Sequence, residues 1–331
     1  MDMNTAAWRV MTLMAFLVFP LACNTAQTGC TDPQAGNFNP SARVNDGSCT
    51  YDTVYVSPVL TMELSMEVEE TSGLIFWDGC LWTHNDDTDN RIFGIDTATA
   101  RILKTHILWK VVNWDWEEIS QDEDYIYLGD FGNNGGNRTD LHILRVDKSS
   151  LQGRIPSIDT IWFTYPDQVD FPPASLNQTE FDCEAFVVTR DSIYLFTKQW
   201  LTANTTVYAL SKEPGTQVAR KHSTYAIGGL VTGATYLEEK RLLVLCGYSG
   251  LLQPFICLLY DYPDHRFFEG NRRLVKLSIL FHQVEGIATN DGLIYYLSNE
   301  SSNLGPRGFR NLQKLHRFDL TPYLGEYLGR E

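Results

Sequence analysis

A recurring order of hydrophobic and polar positions runs through most of the chain. The segment "VEGIATNDGLIYYLSNE", which starts at Val284, holds a carboxylate, a short apolar run, a polar turn and an aromatic-rich strand. The same order starts at Glu117 in "EEISQDEDYIYLGDF" and at Cys183 in "CEAFVVTRDSIYLFT". Short apolar runs between polar turns are typical of β-strands. The pattern therefore predicts strands and turns, with no long helix.

Five copies of this unit align on the position of the carboxylate. The aligned residues are Gly73, Glu118, Glu184, Gly233 and Glu285, at intervals of 45, 66, 49 and 52 residues. A repeat of about 50 residues built from several short strands is the signature of a propeller blade, whereas helical repeats are shorter. The sequence therefore predicts an all-β fold, a β-propeller of five blades. Six blades stay open, because the segment from Tyr165 to Asp182 is long enough to hold further strands.

The later strands of each blade also stand out in the sequence. Second strands are "YIYLGD", "SIYLFT" and "LIYYLS", and third strands are "RIFGID", "LHILRVD", "TVYALS" and "KLHRFDL". "DTIWFTYP" is a fourth strand, whereas the last unit runs out of chain near Leu324. "VYVSPVLTMELS", at residues 54–65, is a strand without a blade of its own. If it completes the last blade, the ring closes and no sheet edge is left exposed.

The N-terminus has the features of an export signal. Residues 10–21 are apolar and follow Arg9, but they are fewer than the roughly 20 residues of a membrane-spanning helix. We interpret residues 1–22 as a signal peptide. The sequence "VFPLAC" resembles the lipobox of bacterial lipoproteins, which implies cleavage before Cys23 and lipidation of that cysteine. An ordinary signal peptide cleaved further on is the alternative; removing Cys23 from the seven cysteines leaves an even six, which suits an exported, oxidised protein.

A segment rich in Gly, Pro, Asn and Asp follows, "GCTDPQAGNFNPSARVNDGSCTY" at residues 29–51. It has no hydrophobic period, and Cys30 and Cys49 bracket it. A disulfide between them would stabilise the segment by about 3 kcal/mol in the chain-entropy model. The segment closely resembles the Cys-Thr-Asp … Asn-Asp-Gly-Ser-Cys modules of secreted and surface proteins of Bacteroidetes-type bacteria, which implies a spacer or stalk. We expect the module to be separable from the propeller, because a segment without a core has little to pack with.

Composition and charge narrow the range of partners. The chain has 331 residues, of which 44% are hydrophobic and 12% aromatic, so it is globular and can bury a large core. Its 26 Lys and Arg residues stand against 41 Asp and Glu residues, a formal charge of −15. Such a chain offers no basic face to neutralise phosphates, which argues against a nucleic acid partner. We expect contact with a membrane only through the lipid anchor.

The repeats themselves resemble a known group of proteins. The segments "NWDWEEISQDEDYIYLGDFGNN", "FDCEAFVVTRDSIYLFTK", "VTGATY", "VEGIA" and "LSNES" are similar to those of exported bacterial β-propellers of poorly defined function. The resemblance implies an exported propeller. With the lipobox-like sequence, we expect a lipoprotein of the outer membrane or cell surface, or alternatively a secreted protein. The Glu-Gly start of an inner strand is also distantly similar to calcium-dependent lactonase propellers, in which such a glutamate holds the metal. The domains predicted are a signal peptide (1–22), a lipid-anchored stalk with the disulfide module (23–52) and the propeller (53–331).

The repeated glutamate predicts a metal site. In a closed propeller the inner strand of every blade lines the central channel, so Glu118, Glu184 and Glu285 should converge there. Carboxylates in a partly desolvated channel raise one another's pKa or require a cation. Calcium suits hard oxygen ligands, with Asp130 or Asp182 as additional donors. The alternative is a wide, water-filled channel in which each glutamate accepts hydrogen bonds from the backbone of a neighbouring blade.

No complete catalytic motif accompanies the repeats, so the catalytic residues stay unknown. "DFG" at 130–132 lacks the rest of a kinase signature, and "GYSGL" at 247–251 lacks the second glycine of a nucleophile elbow. His84, beside Asn85 and Asp86, is a candidate acid or base, and hydrogen bonding within a loop is the alternative. "NDDTDNRIFGID" matches an EF-hand loop poorly, and a solvated hairpin explains its polarity. Four further cysteines are either buried thiols or bridges: Cys80, Cys183, Cys246 and Cys257.

Two functions from different classes remain. The first is a non-catalytic surface protein whose channel mouth and loops bind a polysaccharide, a peptide or a surface protein, with calcium supporting the site. The second is a calcium-dependent hydrolase of a lactone, an ester or a phosphate ester. We favour the first, because it accounts for the anchor, the spacer and the missing catalytic set, and because one fold serves many functions.

Overall fold

The computed structural model describes residues 26–153, 155–171, 173, 175–304 and 309–329. The predicted signal peptide and Cys23 lie outside these residues. Four short strands precede the first repeat: β1 (Thr28–Gly29), β2 (Val44–Asn45), β3 (Val54–Val56) and β4 (Leu60–Glu63). A 3₁₀ turn, Met66–Val68, leads into the repeats.

Five sheets form the blades, and the main strands of each sheet pair antiparallel. Blade one holds β5 (Thr71–Trp77), β6 (Cys80–Asn85), β7 (Arg91–Ile95) and β8 (Ile102–Ile107). Blade two holds β9 (Trp116–Gln121), β10 (Tyr125–Asp130), β11 (His142–Asp147), a 3₁₀ turn (Lys148–Gln152) and β12 (Ile158–Thr164). Blade three holds β13 (Asp182–Val188), β14 (Ser192–Lys198), β15 (Thr205–Ser211) and β17 (Arg220–Tyr225), while β16 (Gly215–Val218) pairs with β12 of blade two.

The last two blades follow the same plan. Blade four holds β18 (Leu230–Leu237), β19 (Leu242–Tyr248), β20 (Pro254–Tyr260), a 3₁₀ turn (Phe267–Glu269) and β21 (Asn271–Leu277). Blade five holds β22 (Val284–Ala288), β23 (Ile294–Asn299) and β26 (Lys314–Asp319), with a small hairpin of β24 (Ser302–Leu304) and β25 (Phe309–Asn311) between them. Helix α1 (Thr321–Leu328) ends the described chain. No helix in the described part of the chain is long and apolar enough to cross a membrane.

The predicted closure of the ring is confirmed. Strand β4 pairs antiparallel with β26, with Glu63 opposite Lys314, and so supplies the fourth strand of blade five. Strand β3, which lies just before it, instead adds to blade four by pairing in parallel with β21. The described residues between β12 and β13 form no strand, so the count is five blades rather than six.

The hydrophobic core lies between neighbouring blades. Each of five buried clusters joins two adjacent sheets, as the cluster of Trp82 in blade one with Ile126 and Leu144 in blade two illustrates. Alternate residues of the inner strands therefore pack on opposite neighbours, whereas the outermost strands β8 and β17 are half-buried or exposed along their length. The four cysteines that the sequence left open are free, buried thiols: Cys80, Cys183, Cys246 and Cys257.

Strand directions define two faces of the ring. The innermost strands β5, β9, β13, β18 and β22 all begin at one face, and each second strand ends there, because neighbouring strands are antiparallel. We call this face the upper face. Its loops include 86–90, 108–115, 131–141, 165–181, 199–204, 249–253 and 278–283.

The N-terminal module is bridged as predicted, but it is not detached from the blades. Cys30 and Cys49 form a disulfide. The Tyr260 hydroxyl, at the end of β20, donates to Asp32 Oδ2 at 2.6 Å, and the Tyr51 hydroxyl donates to the same oxygen at 2.8 Å.

Further bonds join the module to the beginning of β21. From blade four, Arg273 Nη1 donates to Gln34 Oε1 and Arg272 Nη2 donates to the Gly47 carbonyl, both at 2.6 Å. From the module, Asn45 Nδ2 donates to Asn271 Oδ1 at 2.9 Å. The expectation that the module has little to pack with is therefore wrong. The module is held on the lower face of blade four by polar contacts. Such contacts do not produce a hydrophobic periodicity, so the sequence pattern did not indicate them.

Candidate functional site

A β-bulge near the start of the innermost strand places one carboxylate from each of three blades in the channel. The bulged residues are Glu117 in β9, Glu184 in β13 and Glu285 in β22. A bulge leaves one residue unpaired and re-aims its side chain. All three side chains line a cavity of about 260 Å³ that opens at the upper face.

Glu118 does not belong to this group, so the sequence alignment is off by one residue in blade two. Its Oε1 accepts a hydrogen bond from the Ile119 amide at 3.0 Å, and its Oε2 accepts one from the Ala234 amide of blade four at 2.7 Å. Burial raises the pKa of this carboxyl, while the backbone hydrogen bonds oppose the rise. A side chain at Gly73 would collide with it, since an added Cβ would lie 2.5 Å from Glu118 Oε1. Glu118 thus resembles the alternative reading in that it binds backbone amides, but these amides belong to its own strand and to blade four across the channel.

The cavity is strongly acidic. Lys198, at the end of β14, is the one basic side chain among the described residues that line it, and Trp200 and Tyr248 form part of its wall. Six carboxyl groups also line it: Asp86, Asp115, Glu117, Glu184, Glu285 and Glu300.

Lys198 is an internal counter-ion of the cavity. Its Nζ lies 2.5 Å from both carboxylate oxygens of Glu184, and only 4% of the residue is exposed. The ammonium also lies over the rings of Trp200, at 4.6 Å, and Tyr248, at 5.5 Å, where the ring faces attract a cation. Burial would lower the pKa of Lys198, but the Glu184 carboxylate outweighs it and the pKa is raised.

Of the two additional donors predicted from the sequence, the structure brings Asp182 to the site. One oxygen each from Asp182, Glu117 and Glu184 lies within 4.8 Å of the others. Asp182 also accepts hydrogen bonds from the Asn133 amide at 2.6 Å and from Trp200 Nε1 at 2.7 Å. We call Glu117, Asp182, Glu184 and Lys198 the paired half of the site.

Asp130 is engaged elsewhere. Its Oδ1 accepts a hydrogen bond from Arg138 Nη2 at 2.8 Å, and its Oδ2 accepts one from the Trp114 amide at 3.1 Å. The carboxylate is fully buried in this arrangement and does not line the cavity. Its role in the structure is to fix the loop that carries Arg138.

The other side of the cavity holds carboxyl groups without a basic partner in the described chain. Glu285 is 7% exposed, and its Oε2 has no hydrogen-bond partner among the described residues; the same holds for Asp86 Oδ1. Glu300 Oε1 accepts a hydrogen bond from Gln283 Nε2 at 2.6 Å. We call Asp86, Glu285 and Glu300 the unpaired half.

Burial and mutual repulsion raise the pKa values of these carboxyl groups. Burial, and then the charge of Glu300, raises the pKa of Asp86 to about 8. Burial raises that of Glu300 to about 7, although Lys198 opposes it. The pKa of Asp115 rises to about 6 through burial and the charge of Asp182. Burial likewise raises the pKa of Glu117 and of Glu285. The site therefore holds more acid than it can ionise without a further cation.

His84 lies in the interior, away from solvent. Its imidazole is fully buried against Trp116, its Nδ1 lies 2.9 Å from the Asn85 carbonyl, and burial lowers its pKa to about 4. The following loop connects β6 to β7 as a hairpin, and Asp89 in it pairs with Arg91 at 2.7 Å. The hydrogen bond of His84 matches the simpler alternative given by the sequence. The loop is a hairpin, and oxygens of its Asp86 and Asp87 lie within 4.8 Å of one another and of a Glu70 oxygen.

Several lining residues were missed from the sequence. Glu117 directly precedes Glu118, which the sequence alignment predicts for the channel, and only the β-bulge determines which of the two side chains lines the cavity. Lys198 ends the strand motif "SIYLFTK", and Asp115 and Glu300 sit in the loops just before β9 and just after β23. The signal that could have found them is the blade geometry: residues that precede an innermost strand or follow a second strand meet at the upper face.

Comparison with known proteins gives distant structural likenesses alone. No protein-family model matches the chain, and no curated protein matches it. The PQQ-bound aldose sugar dehydrogenase from Streptomyces coelicolor is 12% identical, covering 79% of this chain and 98% of that chain, with a TM-score of 0.44. Glutaminyl cyclase from Myxococcus xanthus is 10% identical, covering 81% and 100%, with a TM-score of 0.47. The WD40 repeats of RRP9 are 9% identical, covering 81% and 100%, with a TM-score of 0.41. Likenesses at this level carry no information about activity.

Proposed function

We propose that the protein binds a ligand or partner through the upper mouth of its channel, and that a calcium ion held by the carboxyl groups of the mouth supports the binding. The observation that carries this proposal is the imbalance of charge in the cavity, where six carboxyl groups face Lys198 alone among the described basic residues. Burying a carboxylate without a partner is costly. A divalent cation would remove much of that cost.

The paired half fits calcium in its donor set and its spacing. Glu117, Asp182 and Glu184 offer hard oxygen donors, and three such oxygens lie within 4.8 Å of one another. Calcium binds oxygen at about 2.3–2.6 Å, so one ion between them could reach all three. Lys198 competes for Glu184, and the ammonium must leave that carboxylate when the ion binds.

Thermal melts of the native chain should separate clearly between calcium and chelator. A site that binds metal only in the folded state adds about 2.7 kcal/mol at a concentration a hundredfold above its dissociation constant. We expect this increment to disappear in a Glu117→Gln, Glu184→Gln double variant. The measurement is the melting temperature of protein first stripped of metal, with and without added calcium.

Glu118→Gln is the matched control, because it changes the adjacent glutamate, which binds backbone amides instead of lining the cavity. This variant should lose some stability and keep its full response to calcium. Identical melts of the native chain with calcium and with chelator would remove the metal from the proposal.

A second candidate, a calcium-dependent hydrolase of a lactone, an ester or a phosphate ester, is favoured by one observation. The pKa values of Asp115, Glu300 and Asp86, at about 6, 7 and 8, let these carboxyl groups exchange protons near neutral pH. A panel of such substrates, assayed with calcium and again after chelation, distinguishes the two candidates. Turnover that chelation abolishes would favour the hydrolase, and no turnover would leave the binding protein.

We also propose that the protein acts outside the cell, anchored through Cys23 at the outer membrane or cell surface. The support for this is the sequence "VFPLAC" at the end of the apolar segment. The mature protein should then partition into the detergent phase, and a Cys23→Ser variant should become soluble or remain unprocessed. Unchanged partitioning of that variant would leave the secreted alternative.

A further inference from the structure

Exposed apolar side chains crowd the loops of the upper face. Six of them, which we call the apolar rim, lie in five of these loops and are between 44% and 84% exposed: Trp114, Phe171, Leu176, Leu201, Leu251 and Phe281. Exposed apolar patches of this kind mark interaction sites on soluble domains. The upper face therefore has the character of a binding surface.

Three rim residues are next in sequence to residues that line the acidic cavity. Trp114 directly precedes Asp115, Leu176 directly precedes Asn177, and Leu201 directly follows Trp200; each of these three neighbours lines the cavity. A ligand that contacts Trp114, Leu176 and Leu201 therefore lies beside the mouth. It must match both an apolar border and an acidic centre.

The chemistry of the surface selects among classes of ligand. The unpaired half of the site offers Glu285 Oε2 and Asp86 Oδ1, two buried oxygens without a described hydrogen-bond partner, so the centre calls for a cationic donor. The rim alone does not discriminate, because three of its side chains are leucine and three are aromatic, but a neutral sugar carries no cationic donor for the centre. An acidic centre also repels anionic lipid headgroups. These features favour a protein ligand with a basic side chain.

We infer that the upper face binds a segment of a partner polypeptide that places a lysine or arginine side chain in the unpaired half and apolar neighbours on the rim. This inference rests on the proposed binding through the upper mouth, but it requires no metal. Lys198 illustrates how the cavity accommodates an ammonium group, because it is held by a carboxylate and two aromatic faces. A second basic side chain would find charge-assisted acceptors on the opposite wall.

The test uses the full chain and short synthetic peptides of defined sequence that differ in the central residue and in its flanking residues. We expect peptides with central Lys or Arg and apolar flanks to bind about tenfold or more tightly than peptides with central Glu or with Ser flanks, the effect of one charge-assisted hydrogen bond. The affinity of the best peptide should fall by a similar factor in Glu285→Gln. It should also fall in the double variant Leu176→Ser, Leu251→Ser, whose changes are exposed and should leave the fold intact.

Two controls lie away from the upper mouth. Glu239→Gln removes an exposed carboxylate, and Leu103→Ser removes an exposed leucine from β8; neither should change peptide affinity. Equal binding of acidic peptides, or peptide binding that Glu285→Gln and the rim variant leave unchanged, would overturn the inference. Binding of phosphatidylglycerol vesicles or oligosaccharides in place of peptides would also overturn it.

Running the peptide assay in calcium and in chelator keeps this inference apart from the metal proposal. If basic peptides bind and calcium does not change the melting temperature, the inference is supported and the metal proposal is contradicted. If calcium raises the melting temperature but basic peptides are not preferred in calcium or in chelator, the metal proposal is supported and the inference is contradicted.

Discussion

Replacing Lys198 with methionine should lower the free energy of unfolding by about 3–5 kcal/mol in the presence of a chelator, because removing one member of a buried ion pair leaves the other charge uncompensated. Glu184 would lose both of its 2.5 Å contacts to the ammonium, and the cavity would lose the one basic side chain that the structure describes in its lining. Denaturant unfolding of the native and variant chains, each in chelator, measures the difference.

Calcium should restore a large part of that loss. The ion would no longer compete with an ammonium for Glu184, so the stabilisation by calcium should be greater in Lys198→Met than in the native chain. Lys104→Met is the control: its ion pair with Asp78 is exposed, and such pairs contribute about 1 kcal/mol or less. A variant as stable as the native chain in chelator, and indifferent to calcium, would mean that the carboxyl groups simply bind protons when the lysine is removed.

Deleting the module, residues 26–51, should lower the melting temperature of the propeller by about 10 °C. The deletion removes several hydrogen bonds to blade four, and at about 0.5–1.5 kcal/mol each the loss comes to a few kcal/mol. Each kcal/mol is worth roughly 2–4 °C in a domain of 150–250 residues and less in a larger one, so about 2 °C per kcal/mol applies here. Calorimetry of the full and truncated chains measures the shift, and the full chain should unfold in a single transition.

A pair of matched substitutions locates the effect within the module. Asp32→Ala removes the oxygen that accepts from the Tyr51 and Tyr260 hydroxyls; these hydroxyls lie 3.1 Å apart, so one can donate to the other and one loses its acceptor. Asp46→Ala removes an exposed carboxylate of the same module whose described hydrogen bond is to the Ser48 amide. The first variant should destabilise the whole chain and the second hardly at all. Equal melting temperatures for the truncated and full chains would show that the docking contributes no stability.

The fold was predictable because its determinants are local and repeated. Strand lengths, polar turns and the interval between units all follow from short stretches of sequence, and the unmatched strand at 54–65 identified the closure. The same strand also shows the limit of this reasoning. Its first part, Val54–Val56, extends blade four instead, and no local pattern separates the two halves.

The site was predictable only in outline, because a shift of one residue in strand pairing changes which side chains line the cavity. Glu117 and Glu118 are chemically identical neighbours, and their side chains point in different directions at the bulge. The choice between them is set by the pairing register and by the room at Gly73, neither of which the repeat pattern reveals. Lys198 was missed for a related reason, since it meets Glu184 only after β13 and β14 have paired.

The position of the module gives the molecule a defined orientation relative to whatever is attached to its N-terminus. The module contacts the end of β20 and the start of β21, on the side of the ring opposite the mouth of the cavity. A tether joined ahead of residue 26, whether a lipid, a fused domain or the linker of a sensor chip, therefore leaves from the lower side. The mouth faces away from the point of attachment, and a partner can approach it without passing the tether.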